Sequence, residues 1–305
     1  MAKNKAKKVV VTGGTGFIGN HLVNALVDRG FTVHVISSSQ SKKDGLNPKA
    51  IFHQADIRNI ETLRPILKET EFVFHLASAV GERFSIEFPK ETNFANIDGT
   101  IHLLTASKEA HVKRFIFSSS SAVYGDQNKL PHTENMMVNP KSPYGAQKYI
   151  GELYCKIWSE LYGLPTVSLR YFSVYGPRPT LEYPRMLVID QFLKNKKEGD
   201  VFSIIGNGKE TRDFIHVHDV VQANLLAAES QKVGNGEVIN IGSGKNYSIQ
   251  NLAKLIGGKV AYTPARFGPK HTLADISKAQ KLLGWKPKIT LEKGILELKR
   301  LFDIE

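Results

Sequence analysis

Tyr144 and Lys148 stand four residues apart in Tyr144-Gly145-Ala146-Gln147-Lys148. On a helix that spacing puts both side chains on one face. A phenol ionises near ~10, too high for a base at neutral pH. A neighbouring ammonium and an oxidised nicotinamide would each favour the phenolate. The pair therefore suits a proton relay beside a hydride acceptor. A run of hydroxyls, Ser118 to Ser121, precedes it, and the Ser120 hydroxyl there can hydrogen-bond a reacting oxygen. By itself a Tyr-x-x-x-Lys pattern is common. Its place directly after a predicted strand and that serine run gives it weight.

The hydride acceptor has its own signal. Val9–Thr12 leads into Gly13, Gly14, Thr15, Gly16, Phe17, Ile18 and Gly19, with a predicted strand before the glycines and a helix after them. Glycines at this spacing let the backbone turn tightly and approach a pyrophosphate on the helix N-terminus. An acidic residue about 20 positions on would bind the adenine ribose of NAD. The second strand ends instead in Ile36, Ser37, Ser38 and Ser39. Ser37 or Ser38 can bond a ribose hydroxyl, and Lys42 or Lys43 can reach a 2′-phosphate. NAD and NADP both stay open; the lack of an arginine at that strand end favours NAD. After the third strand, Asp56–Ile57 offers a carboxylate to the adenine amino group or, equally, a helix N-cap.

These groups need a scaffold that brings strand ends together. Strands are predicted at 8–12, 32–37, 50–54, 71–76, 114–118 and 166–171, and helices at 17–29, 93–109 and 144–162, the last closed by Gly163 and Pro165. Strands alternating with helices of that length give an α/β fold, a Rossmann-type doubly wound parallel sheet. After Tyr175 prolines interrupt the pattern. Helices follow at 186–193 and 217–229, and a strand at 238–241 returns to the main sheet. The organisation predicted is an NAD(P)-binding domain over 1–174, with 236–242 returning to it, and a smaller α/β substrate domain over 175–305.

Composition narrows the classes. The 305 residues are 41% hydrophobic and 23% charged, with a formal net charge of +12. A core of this size needs no disulfide, and a single cysteine, Cys155, cannot form one within the chain. That usage reads as a reducing, cytoplasmic compartment. No apolar run approaches the ~20 residues of a membrane span. The lysine-rich start lacks the apolar region of a signal peptide, and Met1–Lys5 reads as a solvated tail. The basic groups carry no interleaved aromatics of the kind that stack bases, so a solvated basic surface is the reading over nucleic-acid binding. No His/Cys spacing suggests a metal.

The ordered series of motifs resembles the extended short-chain dehydrogenase/reductase family, the NAD-dependent epimerases and dehydratases of nucleotide sugars. It runs from the glycine loop through His75-Leu76-Ala77, Asn96 to Leu104, the serine run and Ser142-Pro143-Tyr144 with Lys148. It continues through Leu169 to Arg178, Gly206-Asn207-Gly208, Arg212-Asp213-Phe214, Ala274 to Lys278 and Leu283-Gly284-Trp285. The resemblance implies that Tyr144 deprotonates the sugar 4-hydroxyl while NAD takes the C4 hydride. Lys148 would tune Tyr144 and hold the nicotinamide ribose, and Ser120 would bind the 4-oxygen. It places Leu76, Ala77, Ser78, Asn96, Ser118 and Tyr171 with the cofactor, and Ser85, Ser173, Arg212, Arg266 and Thr272 with the substrate. Arg212 would hold the nucleotide diphosphate, and a small Thr272 would leave room for a 2-acetamido group. The family's 4,6-dehydratases carry an Asp-Glu pair where this chain has Ser121 and Ala122, and its decarboxylases keep a glutamate at the second position. What the resemblance implies is thus a C4 epimerase acting on a UDP-hexose, UDP-N-acetylhexosamine or UDP-uronate, working as a homodimer. The alternatives are a 4-ketosugar reductase and a non-catalytic, RNA-binding relative that keeps only the fold.

Overall fold

A computed structural model describes residues 6–38, 45–178, 187–264 and 269–304. Met1–Lys5, Lys42, Lys43 and Arg266 lie outside the described residues.

The alternation read from the sequence produces one parallel sheet. Its first six strands in the chain are β1 (Lys8–Thr12), β2 (Thr32–Ser37), β3 (Ile51–Gln54), β4 (Phe72–His75), β5 (Arg114–Ser120) and β6 (Thr166–Tyr171). Next come β7 (Ser173–Tyr175), β8 (Phe202–Ile205), β9 (Thr211–Arg212), β10 (Phe214–His216), β11 (Asn235–Ile241), β12 (Tyr247–Ser248) and β13 (Val260–Thr263). The main sheet has the order β11-β6-β5-β4-β1-β2-β3, and every pairing in it is parallel. The strand predicted to return does so: β11 lies beside β6, with Ile241 opposite Tyr171.

The helices are α1 (Phe17–Asp28), α2 (Ile60–Leu67), α3 (Glu82–Glu87), α4 (Pro89–Asn93), α5 (Gly99–Glu109), α6 (Pro143–Tyr162), α7 (Val188–Glu198), α8 (Val217–Glu229), α9 (Ile249–Ile256), α10 (Ser277–Leu283) and α11 (Leu291–Leu301). One sheet face packs through Val9, Val11, Ile116, Leu169 and Tyr171 against Leu22 of α1, Val220 of α8 and Trp285. The other packs through Val10, Val73, Phe115 and Phe117 against Leu63 of α2, Leu103 of α5 and Cys155 of α6. Alternate residues of each strand serve opposite faces, as the pleat requires. A separate core of Phe192, Phe202, Leu252, Leu291 and Leu298 joins α7, β8, α9 and α11.

Sequence and structure differ in one helix that bears on function. The single helix predicted over 93–109 is interrupted by a wide π-turn over Phe94–Asp98, between α4 and α5. Such turns recur at functional sites, and this one carries the buried Asn96.

Candidate active site

The strand order reverses on either side of β1 and β4. In open α/β sheets that switch point, at the carboxyl ends of the strands, is where ligands bind. The glycine loop leaves β1 there. The Gly13 N–H donates to Ile36 O at 2.9 Å and the Gly16 N–H to Gly13 O at 2.9 Å. A Cβ at Gly19 would overlap the Gly13 carbonyl oxygen, so the helix can sit this close to its own loop only with glycine. A Cβ at Gly16 would meet nothing within 4 Å beyond that same oxygen, at 3.2 Å. The N-terminus of α1 has no side-chain cap and no acid in its first turn. It thus presents unneutralised N–H groups and a positive dipole end. A dinucleotide pyrophosphate fits this cradle. Thr15 Oγ1 donates to Ser37 Oγ at 3.2 Å, tying the loop to the end of β2; Ser38 is exposed beside it.

A directional hydrogen-bond chain fixes the next strand. The Ala77 N–H donates to Thr12 Oγ1 (3.2 Å), and Thr12 Oγ1 lies 2.8 Å from His75 Nδ1. His75 Nε2 lies 3.0 Å from Thr100 Oγ1, whose proton goes to Asn96 O at 2.7 Å. Each hydroxyl has one proton. Thr100 must therefore accept from Nε2–H, and Thr12 must donate to Nδ1. Burial, with the Lys148 charge behind it, holds His75 neutral by lowering its pKa to about 3.

Asn96 is used up in the same way. Its Oδ1 accepts from Ser78 Oγ and the Ala79 N–H, both at 2.8 Å. Its Nδ2 donates to Ala79 O (3.1 Å) and to Gln147 Oε1 (2.7 Å). Expected as a cofactor ligand, Asn96 instead spends all four side-chain positions holding the loop after Leu76 and the helix that bears Lys148.

α6 starts where its sequence says it should. The Ser142 side chain accepts the Gly145 N–H (3.2 Å), proline follows at the first turn, and left-handed Gly163 closes the helix. Tyr144 and Lys148 share the face turned to β5. Lys148 Nζ donates to Ser118 O at 2.8 Å and lies 5.7 Å from the Tyr144 ring centroid. The Ser120 side chain accepts the Ala122 N–H (3.2 Å) and bonds the Tyr144 phenol. The three predicted catalytic residues therefore converge.

The electrostatics correct one expectation. Burial pushes the Tyr144 phenol up to about 12; the Ser120 hydroxyl acts in the opposite sense and the Glu82 charge adds to the rise. Burial also draws Lys148 down to about 8, against Cys155 and Glu152. In the protein alone desolvation outweighs any help from the ammonium, which is turned to the Ser118 carbonyl. Burial thus favours the neutral phenol, and added positive charge in the site would favour the phenolate.

Other predicted residues take different places. Tyr171 faces the opposite side of the sheet, because alternate residues of β6 point to opposite faces; its phenol donates to Asn224 Oδ1 at 2.9 Å and also bonds the Ser118 side chain. The Asp56 carboxylate is engaged by Arg58 (2.6 and 3.0 Å), and that ion pair lowers its pKa. Asn59, not Asp56, caps α2. Ile57 is buried in the core formed with α2 and α5. Ser85 is fully buried; it accepts the Tyr144 N–H at 2.9 Å and donates to Glu82 O at 2.7 Å, so it anchors the start of α6. Thr272 is buried, and its hydroxyl accepts the Asp213 N–H at 3.2 Å, which places it behind Arg212. The Ser173 N–H donates to Asp213 O at 3.0 Å, bringing Ser173 beside the strand of Arg212. Arg212 Nη1 donates to Thr211 O (2.9 Å) and Lys270 O (3.2 Å). Burial lowers its pKa, opposed by Glu210, Glu82 and Asp126 around it.

Two features went unread in the sequence. Glu152, four residues beyond Lys148, takes a bidentate pair of bonds from Arg170 (2.8 and 2.7 Å) and a short one from Ser119 Oγ. It locks α6 to β5 and β6. The continued spacing of four after Lys148 was the available signal. The other is a cluster of His216, His218 and Glu297, whose ligand-type atoms lie within 4.8 Å of one another. His216 Nδ1 accepts the His218 N–H at 3.3 Å. His216 Nε2 lies 3.2 Å from a Glu297 carboxylate oxygen without forming a hydrogen bond to it, and burial holds the ring neutral by lowering its pKa to about 3.

A doubly wound sheet with a glycine cradle at its switch point and a Ser, Tyr and Lys set beside it defines a dinucleotide-dependent enzyme of the short-chain dehydrogenase/reductase class. Residues 9–242 match the NAD dependent epimerase/dehydratase family, and the chain belongs to that family. It is 39% identical over 300 residues to a putative UDP-glucose 4-epimerase of Methanocaldococcus jannaschii, covering 94% of this chain and 95% of that one. A UDP-N-acetylglucosamine 4-epimerase of Methanobrevibacter ruminantium superposes with a TM-score of 0.92 at 39% identity, over 98% of this chain and 99% of that one. A UDP-glucuronic acid 4-epimerase of Bacillus cereus, in complex with UDP-glucuronic acid and NAD, gives a TM-score of 0.88 at 34% identity, over 97% and 99%.

Proposed function

We propose that the chain is a nucleotide-sugar C4 epimerase with NAD as its resident cofactor, acting on a UDP-sugar. The observation that carries this is the convergence of Ser120, Tyr144 and Lys148 on one end of the sheet, next to a strand end, Ser121-Ala122, that has no acid. Elimination of water needs an acid to protonate the leaving hydroxyl, and that position offers none. NAD, when bound, supplies a hydride acceptor and a cationic ring. The protein supplies the rest. Tyr144 takes the proton of the 4-hydroxyl, Ser120 holds that oxygen, and Lys148 stabilises the phenolate from its anchor on Ser118 O. The added cation offsets the desolvation that keeps the phenol protonated in the free protein. Arg212 and Ser173 hold the diphosphate. The Asn96 network keeps Leu76, Ala77 and Ser78 against the cofactor.

We assign residues 1–174, with the strand at 236–242, to the NAD-holding unit and 175–305 mainly to the substrate unit. The protein acts in the cytoplasm as a homodimer. Leu153, Ile157 and Leu161 support the dimer: they lie at successive i, i+4 positions of α6 and are 42, 39 and 73% exposed, an apolar seam left partly uncovered among the described residues.

The test is to incubate the protein with UDP-sugars, without added cofactor, and follow the anomeric protons by NMR. A 4-epimer should appear with no net NADH. Tyr144→Phe should lower kcat by about 10²–10⁴ at unchanged Tm. No reaction of any UDP-sugar, or an unaffected Tyr144→Phe variant, would refute the assignment.

A further inference from the structure

Among the acids around the site, Glu82 is the one placed beside the start of α6, and neither the cradle nor the proton relay uses it. Glu82 opens α3. Its backbone is fixed by Ser85, whose Oγ donates to Glu82 O at 2.7 Å and accepts the Tyr144 N–H at 2.9 Å. Its carboxylate is fixed by Ser142, the cap of α6, whose Oγ donates to Glu82 Oε1 at 3.3 Å. The charge so placed is felt by the Tyr144 phenol on one side and by the Arg212 guanidinium on the other. A sugar with its 4-oxygen at Tyr144 and its diphosphate at Arg212 must cross the space between those two groups.

We infer that Glu82 sets the charge class of the sugar, admitting neutral hexoses and N-acetylhexosamines and rejecting hexuronates. The inference rests on the epimerase reading above. A uronate carries its carboxylate at C6, two bonds from C4, and so brings a second anion within one ring of the reacting centre. The cation in reach is already shared: Arg212 sits among Glu82, Glu210 and Asp126, while Lys148 is turned to Ser118 O and Arg83 faces solvent. Like charges brought into the same partly desolvated site repel strongly enough to cost about tenfold or more in binding. Glu82 also works against the Tyr144 phenolate, an effect common to all three sugars, so its mark on selectivity is read in the ratio between substrates and not in kcat alone.

The experiment uses the NAD-loaded protein and its Glu82→Gln variant, with UDP-glucose, UDP-N-acetylglucosamine and UDP-glucuronate. Glutamine keeps an acceptor for Ser142 and removes only the charge. The wild type should convert the neutral sugars in preference to UDP-glucuronate. Glu82→Gln should raise the ratio of kcat/KM for UDP-glucuronate to that for UDP-glucose by about tenfold or more, with Tm unchanged. A purely structural Glu82 would lower both substrates together and leave the ratio alone. An unchanged ratio, or a wild type that prefers UDP-glucuronate, overturns this inference and leaves the epimerase reading standing. Failure to epimerise all three sugars overturns that reading itself. Inhibition of wild-type UDP-glucose turnover by UDP-glucuronate checks the inference without a variant. The uronate should bind at least about tenfold more weakly than the neutral sugar, and equal or tighter binding refutes it.

Discussion

Glu152→Gln is the substitution whose consequence the structure specifies most closely. It leaves the Arg170 guanidinium, 3% exposed, without its carboxylate and with the Tyr124 ring stacked on it at 4.7 Å. Removing one partner of a buried pair costs about 3–5 kcal/mol, because the other charge stays buried and unpaired. At about 2.1 cal/mol/K per residue, the unfolding entropy of 305 residues is about 0.6 kcal/mol/K. The loss then corresponds to a Tm lower by about 5–8 °C. Removing both charges, as Glu152→Leu with Arg170→Met, should return most of that loss, since well-packed apolar replacements of buried pairs are near neutral. The assay is urea and thermal unfolding, at saturating NAD, of the wild type, Glu152→Leu, Arg170→Met and their double variant, with Glu152→Gln beside them. A single variant within about 1 kcal/mol of wild type, or a double variant as unstable as the sum of the singles, would refute the account of α6 as held by an obligatory ion pair.

Acid should destabilise the protein well above the carboxylate range. Burial lowers His75 to about 3 and His132 to about 4, whereas an unfolded histidine titrates near ~6.5. These folded-state values are depressed, so the unfolded chain binds protons first. The stability is fully present above pH ~6.5 and is lost as pH falls towards the folded values. Between pH 7 and pH 5 the two residues together should remove about 4 kcal/mol, read as a lower urea midpoint; an unchanged midpoint would show that the rings are not held neutral. Gly19→Ala should force the loop away from Gly13 O, cost about 1–3 kcal/mol and release copurifying NAD; retained NAD would contradict the cradle described here.

The parts of the fold that were legible were those with a strong burial pattern. α6 was read almost to the residue because Ser142, Pro143 and Gly163 punctuate it, and the second half of β11 because Val238, Ile239 and Ile241 are apolar and β-branched. β13 went unread for the opposite reason: Val260, Ala261 and Tyr262 are exposed, so no alternation marks them as a strand. Within the site, Ser120, Tyr144 and Lys148 were legible because local spacing fixes them. Motif membership does not say which face of a strand the Tyr171 side chain takes. The Asp56–Arg58 pair is a local contact two residues apart that the motif reading passed over, whereas the position of Glu82 beside Tyr144 and Arg212 depends on tertiary placement that no local pattern encodes.

The π-turn at Phe94–Asp98 also sets a phase. Thr92, Asn96 and Thr100 are spaced by four and all three are buried, touching Gln147, the Ala79 segment and His75 in turn. On an unbroken α-helix each step of four overshoots a full turn by about 40°, so Thr100 would have drifted about 80° from Thr92. The wider turn unwinds part of that drift and keeps the three polar groups in one row. The surplus residue thus acts as a vernier, by which a helix with an apolar repeat of its own carries a polar line of a different period to the cofactor loop.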